Sequence, residues 1–203
     1  MLNRVITGFG AAALAAVTAI GGAQAADTIK IGSFLAVTGG ASFLGDPEKK
    51  TLEMYVNKIN AEGGVLGKKL ELTVYDSQGN PAKAVPFAKR LISDDKVDVL
   101  LAGSTSGETM AVIPIVEAAG IPFISFGGAG VIVNPVKKWV FKTPHTDTLA
   151  VKKIFTDMKK RGLTKIGLLS GSGGFDASCR KQTQTLAGPS GMTLVADETH
   201  GKG

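Results

Sequence analysis

Residues 97–128 read VDVLLAGSTSGETMAVIPIVEAAGIPFISFGG, and this stretch decides the fold. Val97 to Ala102 reads as an apolar strand of the kind buried on both faces of a parallel sheet. Gly103-Ser104-Thr105 is a turn, Ser106 begins a helix, and Gly120 ends it. Ile121 to Phe126 is the next strand, followed by Gly127-Gly128. A strand, a helix and a second strand within about thirty residues make a crossover unit, which joins parallel neighbours in one sheet.

The same unit recurs upstream. Thr28 to Phe34 alternates as a strand, with Ile29 and Ile31 on one side. Asp46-Pro47 predicts a helix start, an acidic cap before a proline at the first helical position. Leu52, Tyr55, Val56 and Ile59 then fall on one helical face, and Gly63-Gly64 stops it. Leu70 to Tyr75 is a second strand. Asn80-Pro81 opens a second helix with Val85, Ala88, Leu91 and Ile92 inward, and Pro86 should kink it or delay its start. Trp139 to Lys142 supplies a fifth strand. Alternating strands and helices predict an α/β, doubly wound parallel sheet over residues 26–144, a complete lobe.

Pro144-His145-Thr146-Asp147 reads as a junction. Residues 145–203 hold a helix to Arg161 with Leu149, Ile154, Phe155 and Met158 inward, a strand at Lys165 to Leu169, a helix over Asp176 to Leu186, and a strand at Met192 to Asp197. Two strands make a poor independent sheet, so this part is expected to be an incomplete second lobe.

Residues 1–25 read as a cleavable secretory signal: Arg4, an uncharged Ala-rich run from Val5 to Ile20, and Ala23-Gln24-Ala25 as a small-x-small cleavage site. No cysteine stands there to carry a lipid. Export to the periplasm follows as the expected location. The 203 residues carry a net charge of +6, which falls to +5 once Arg4 is removed. Lysines alternate with acids at Glu48-Lys49-Lys50 and Asp94-Asp95-Lys96, and Lys137-Lys138 and Lys159-Lys160-Arg161 lack interleaved aromatics. These are solvated faces, and no nucleic acid is expected as partner. Cys179 is the single cysteine, so no intramolecular disulfide can form.

Three loops follow strands and should gather at one rim, where open parallel sheets bind ligands. They are Thr38 to Leu44, Gly103 to Ser106, and Phe126 to Gly130. Glycines and small hydroxyls let a ligand approach the backbone, and Ser106 stands where free helix N–H groups favour an anion such as a carboxylate. A pure capping role for Ser106 is the plainer alternative. Competing motifs fail on their residues. Gly103 to Gly107 nearly matches G-x-S-x-G, but Thr105 holds the nucleophile position. In Gly171-Ser172-Gly173-Gly174, Asp176 replaces the last glycine of a dinucleotide fingerprint. His145, His200 and Cys179 are too dispersed for zinc. Neither a catalytic residue, a metal nor a cofactor is expected.

From Ile29 to Ala196 the chain resembles the leucine/isoleucine/valine-type, or type I, periplasmic binding proteins of ABC transporters. The pieces that carry the resemblance are Gly45-Asp46-Pro47, Ile59-Asn60-Ala61-Glu62-Gly63-Gly64, Tyr75-Asp76, Gly120-Ile121-Pro122-Phe123-Ile124-Ser125 and Gly173-Gly174-Phe175, in that order and spacing. The resemblance implies a monomer with two α/β lobes on a hinge, a small solute held between them, and a membrane permease that reads closure. It implies that Ser106 holds the ligand carboxylate and that the backbone around Gly127 and Gly128 contacts the ligand. Ala129 stands where branched-chain binders carry threonine. Leu44 and Phe175 stand where they carry aromatic walls, so a carboxylate with a larger apolar or aromatic body is an alternative ligand. The family's acidic partner for a ligand ammonium would lie beyond Gly203, so with half the clamp missing this chain is expected to bind weakly or not at all. A same-fold sensory module is the other functional alternative.

Overall fold

The computed structural model describes residues 28–201; the signal read at residues 1–25 lies outside them. The first block contains β1 (Ile29–Leu35), α1 (Ser42–Ala61), β2 (Leu70–Asp76), α2 (Pro81–Ser93), β3 (Val99–Ala102), α3 (Ser106–Ala119), β4 (Phe123–Ser125) and β5 (Val140–Lys142). The strands form one parallel sheet in the order β2-β1-β3-β4-β5. The chain leaves β1 toward one edge and then returns past it to β3. Right-handed crossovers therefore place α1 on one face and α2 and α3 on the other. The switch point lies between β1 and β3.

The α2/α3 face carries the core. Phe34, Leu91, Leu100, Val112, Val116 and Phe123 are completely buried, and the Phe34 and Phe123 rings meet at 5.9 Å between centroids. Truncating such a ring costs about 3–5 kcal/mol. Asn80 Oδ1 caps α2 by accepting from Ala82 N at 2.8 Å, with Pro81 at the first helical position. Pro86 lies inside α2 without delaying its start. Strand β3 is shorter than the sequence suggests: Asp98 precedes it and accepts from Lys30 N at 2.8 Å.

Helix α1 departs from expectation. It begins at Ser42, so Asp46 is no cap and Pro47 sits inside the helix. The cause is tertiary. Gly45 lies against the end of β1, where a Cβ would come within 2.3 Å of the Ala36 backbone. That close approach holds an extra turn ahead of Asp46, which pairs instead with Lys50 at 2.6 Å. Tyr55, expected inward, is 52% exposed, and Leu52, Val56 and Ile59 are only half-buried.

The second block contains α4 (Asp147–Lys160), β6 (Lys165–Ser170), α5 (Gly174–Ala187) and β7 (Thr193–Thr199), with β6 and β7 parallel. Val151, Phe155, Ala187 and Met192 form its small core, joined by Met158, Ile166 and Leu186. Leu149 and Ile154 are more than half exposed, because Val151, Phe155 and Met158 define the inward face of α4 instead. Leu169 and Val195 also stand exposed on this sheet. Among the described residues no helix is long and apolar enough to cross a membrane.

Candidate functional site

All five strands of the first sheet run in parallel, so the loops after β1, β3 and β4 share its C-terminal rim. Hydrogen bonds tie them together. Ser104 Oγ accepts from Ala36 N at 3.0 Å, linking the β1 and β3 loops across the switch point. Ser106 Oγ accepts from Ala129 N at 3.0 Å, linking the β3 and β4 loops.

Thr105, not Ser106, is the cap of α3. Its Oγ1 accepts from Glu108 N at 3.3 Å, and Glu108 Oε2 accepts from Thr105 N at 3.0 Å. This reciprocal pair is a capping box, and its signal, Thr105 followed three residues later by Glu108, stands in the sequence. Ser106 is thus the first helical residue and is relieved of capping. Ala129 N donates to its oxygen.

Beneath the loops lies a buried polar layer. Ser77 Oγ donates to Glu108 Oε1, and Thr105 Oγ1 donates to Oε2 at 2.8 Å. Both Ser77 and Glu108 are completely buried. Ser104 Oγ donates to Glu48 Oε2. Burial pushes the Glu48 carboxyl above the usual carboxylate range, the Ser104 bond opposes this, and nearby Glu108 adds to it. Thr109 Oγ1 and Ser125 Oγ meet at 2.7 Å, and Ser125 Oγ accepts from Gly127 N at 2.9 Å.

Each residue of the 127–130 turn is therefore held. Besides Gly127 and Ala129, the Gly128 carbonyl accepts from Lys142 Nζ at 2.7 Å and Gly130 N donates to Asp147 Oδ1 at 2.9 Å. Burial lowers the Lys142 ammonium, and the charge of Asp147 works the other way. Sequence reasoning missed Lys142 and Asp147; no local motif marks either.

The second block closes over this rim. Phe175 packs on Gly128: a Cβ there would lie 2.6 Å from Phe175 Cε2. Gly174 meets Gly107, where a Cβ on Gly174 would lie 2.9 Å from Gly107 Cα and N. The N-termini of α3 and α5 thus abut. Ser106 is only 2% exposed and Ala129 is buried, so the open cradle expected from sequence is shut in this conformation. Leu44 lies apart, on the first turn of α1 and 36% exposed. In the Gly171–Gly174 loop, Asp176 accepts from Gly173 N at 3.0 Å and so serves the start of α5. Cys179 is half-buried; burial, then the charges of Asp147 and Asp176, push its thiol up to about 11.

The family model for periplasmic binding proteins matches residues 28–203. The chain belongs to the periplasmic binding protein family. Among the relatives of this family member is a Leu/Ile/Val-binding protein homolog 7 of Brucella suis biovar 1, 30% identical over 190 residues, covering 89% of this chain and 47% of the relative. The same-named protein of Brucella abortus is 28% identical with the same coverage. The chain thus spans about half the length of the curated relatives it matches. Among solved structures, an extracellular ligand-binding receptor from Rhodopseudomonas palustris HaA2 matches with a TM-score of 0.78 at 27% identity, over 86% of this chain and 48% of that one. The branched-chain amino acid transporter substrate-binding protein of Streptococcus pneumoniae, solved with isoleucine, matches with a TM-score of 0.74 at 26% identity, over 87% and 51%.

Proposed function

We propose that the protein is the extracytoplasmic solute-binding component of an ABC importer, capturing an amino acid or related small carboxylate between its two blocks. The observation that carries this reading is the meeting of two helix N-termini at Ser106-Gly107 and Gly174. Each such end carries a partial positive charge of about half an electron and unpaired N–H groups. Parted enough to admit a solute, the two ends would face one gap and together favour an anion in it. Ser106 supplies a hydroxyl there that α3 does not need as a cap. Gly127, Gly128 and Ala129 present backbone to the same spot, and Phe175, from the other block, supplies an apolar wall.

Closure is the mechanism. The ligand touches Ser106 and the 127–129 turn on one side and Phe175 on the other, so it favours the closed arrangement over the open one. A membrane permease reads the closed form. The protein acts as a periplasmic monomer and performs no reaction on the solute. A second reading, a carboxylate with an aromatic body, is favoured by Phe175, which offers an apolar ring beside Gly128, and by Ala129, which brings no side-chain hydroxyl to the turn.

Amide chemical-shift mapping tests the proposal, since it registers even millimolar affinities. Titration with L-leucine, L-isoleucine and an aromatic acid is expected to move the amides of Ser106, Gly127, Gly128 and Ala129. Ser106→Ala should weaken binding by about 10- to 100-fold, the worth of a hydrogen bond to a charged group. Undisturbed amides at these positions with every probe, or equal affinity after Ser106→Ala, would refute it.

A further inference from the structure

We infer that Asp147 is a positioning residue for the 127–130 turn, gripping Gly130 from the first turn of α4 and so making the shape of the ligand cradle depend on the posture of the second block. The ligand half of this inference rests on the function proposed above; the structural half does not.

Asp147 is 1% exposed. A carboxylate in such a place is costly unless its oxygens are bonded, and α4 does not require it. Thr146 is already the cap of that helix, its Oγ1 accepting from Leu149 N at 3.4 Å. Oδ1 of Asp147 accepts from Thr148 N at 2.8 Å within α4, and from Gly130 N at 2.9 Å in the first block. Among the described residues Oδ2 has no hydrogen-bond partner. The one bond that leaves the helix is therefore what Asp147 adds.

That bond falls on the last residue of the cradle. Its neighbours Gly127 and Ala129 are fixed from within the first block, by Ser125 and Ser106. Lys142, at the end of β5, holds Gly128 and also reaches the His145 carbonyl at 3.2 Å, in the crossover between blocks. Gly128 meets Phe175 of α5 only by packing, and Gly130 is the residue of the turn that a side chain of a second-block helix holds by a hydrogen bond. The fit there is tight: a Cβ on Gly130 would lie 2.9 Å from Asp147 Oδ1 and 3.3 Å from Thr148 Oγ1. Rotation of α4 about the crossover would strain or break this bond, because one carboxylate oxygen bonds both the helix and the turn.

Amide hydrogen exchange on the whole chain tests this without a ligand. In Asp147→Ala the Gly130 amide should exchange at least about tenfold faster, as expected for loss of a buried bond to a charged acceptor. Amides of Leu100 and Phe123 in the first sheet should not change. Asp147→Asn keeps a carbonyl oxygen for Gly130 N and should restore its protection. Gly130→Ala breaks the same contact with Asp147 intact and should also deprotect residue 130, which keeps the inference testable if Asp147→Ala does not fold. Unchanged Gly130 protection in Asp147→Ala, or unchanged protection at 130 in Gly130→Ala, overturns it. So does loss in Asp147→Asn equal to that in Asp147→Ala. With L-isoleucine as probe, Asp147→Ala should weaken binding about tenfold and Asp147→Asn should rescue it. Equal affinity in the alanine variant overturns the coupling to ligand. Absence of any probe binding to the unmodified chain defeats the transport reading and leaves the exchange experiment to decide Asp147.

Discussion

Glu108→Ala should unlock the rim that carries Ser106. The Glu108 side chain is completely buried and joins the loop after β2 to the loop after β3. Its removal strands the Ser77 hydroxyl, itself completely buried, and the Thr105 N–H. Each stranded group costs about 1–3 kcal/mol, and the half of the capping box that Glu108 N donates to Thr105 Oγ1 survives. The expected destabilisation is about 2–6 kcal/mol, a large share of the stability of a domain this size. Urea unfolding followed by the fluorescence of Trp139 gives the reading. Trp139 is the one tryptophan in the sequence and packs beside Gly120 in the first block, so the signal belongs to the sheet in question. The midpoint should fall with no change in slope. Glu108→Gln retains a carbonyl oxygen and nearly the same volume, and should lose less than half as much. A loss below about 1 kcal/mol in Glu108→Ala would show that the polar layer does not hold the loops, and the reasoning would fail.

Further expectations follow from single residues. The Glu48 carboxyl is raised above 4.5 by burial, so its neutral form is the one the fold prefers. Its contribution is complete below the unfolded value and is lost as pH rises through the folded one. Glu48→Gln should therefore stabilise at pH 7 and make no difference below about pH 4; a pH-independent effect would contradict the assignment. Cys179, with its thiol near 11, should be alkylated at pH 8 about a hundredfold more slowly than a free cysteine, and a rate matching the free amino acid would mean the helix face is open. Gly45→Ala forces a Cβ to 2.3 Å from the Ala36 backbone, whereas a Cβ on Gly40 meets nothing within 4 Å. The first should cost about 1–3 kcal/mol and the second almost nothing; equal midpoints in thermal melts would dismiss the close approach.

The sheet was legible because each strand announces itself locally. Val99 to Ala102 and Phe123 to Ser125 are short apolar runs closed by glycines or small residues, and Asn80-Pro81 and Gly120 punctuate the helices where the structure has them. What misled was tertiary. Asp46-Pro47 has the chemistry of a helix start, but the packing of Gly45 on Ala36 sets the start at Ser42. Tyr55, Leu149 and Ile154 fit an apolar period yet remain exposed, because periodicity identifies a face without saying what covers it. At the candidate site, small residues after strands mark the rim. Asp147 and Lys142 act on backbone atoms more than a dozen residues away, and no spacing rule predicts such a bond.

The division of work between Thr105 and Ser106 has an evolutionary consequence. Since Thr105 and Glu108 secure the start of α3 by themselves, exchange of the neighbouring serine leaves the helix its anchor. What remains fixed at position 106 is only the tie to Ala129 N, so a side chain there that still offers an acceptor, threonine for one, can replace serine without unravelling the helix.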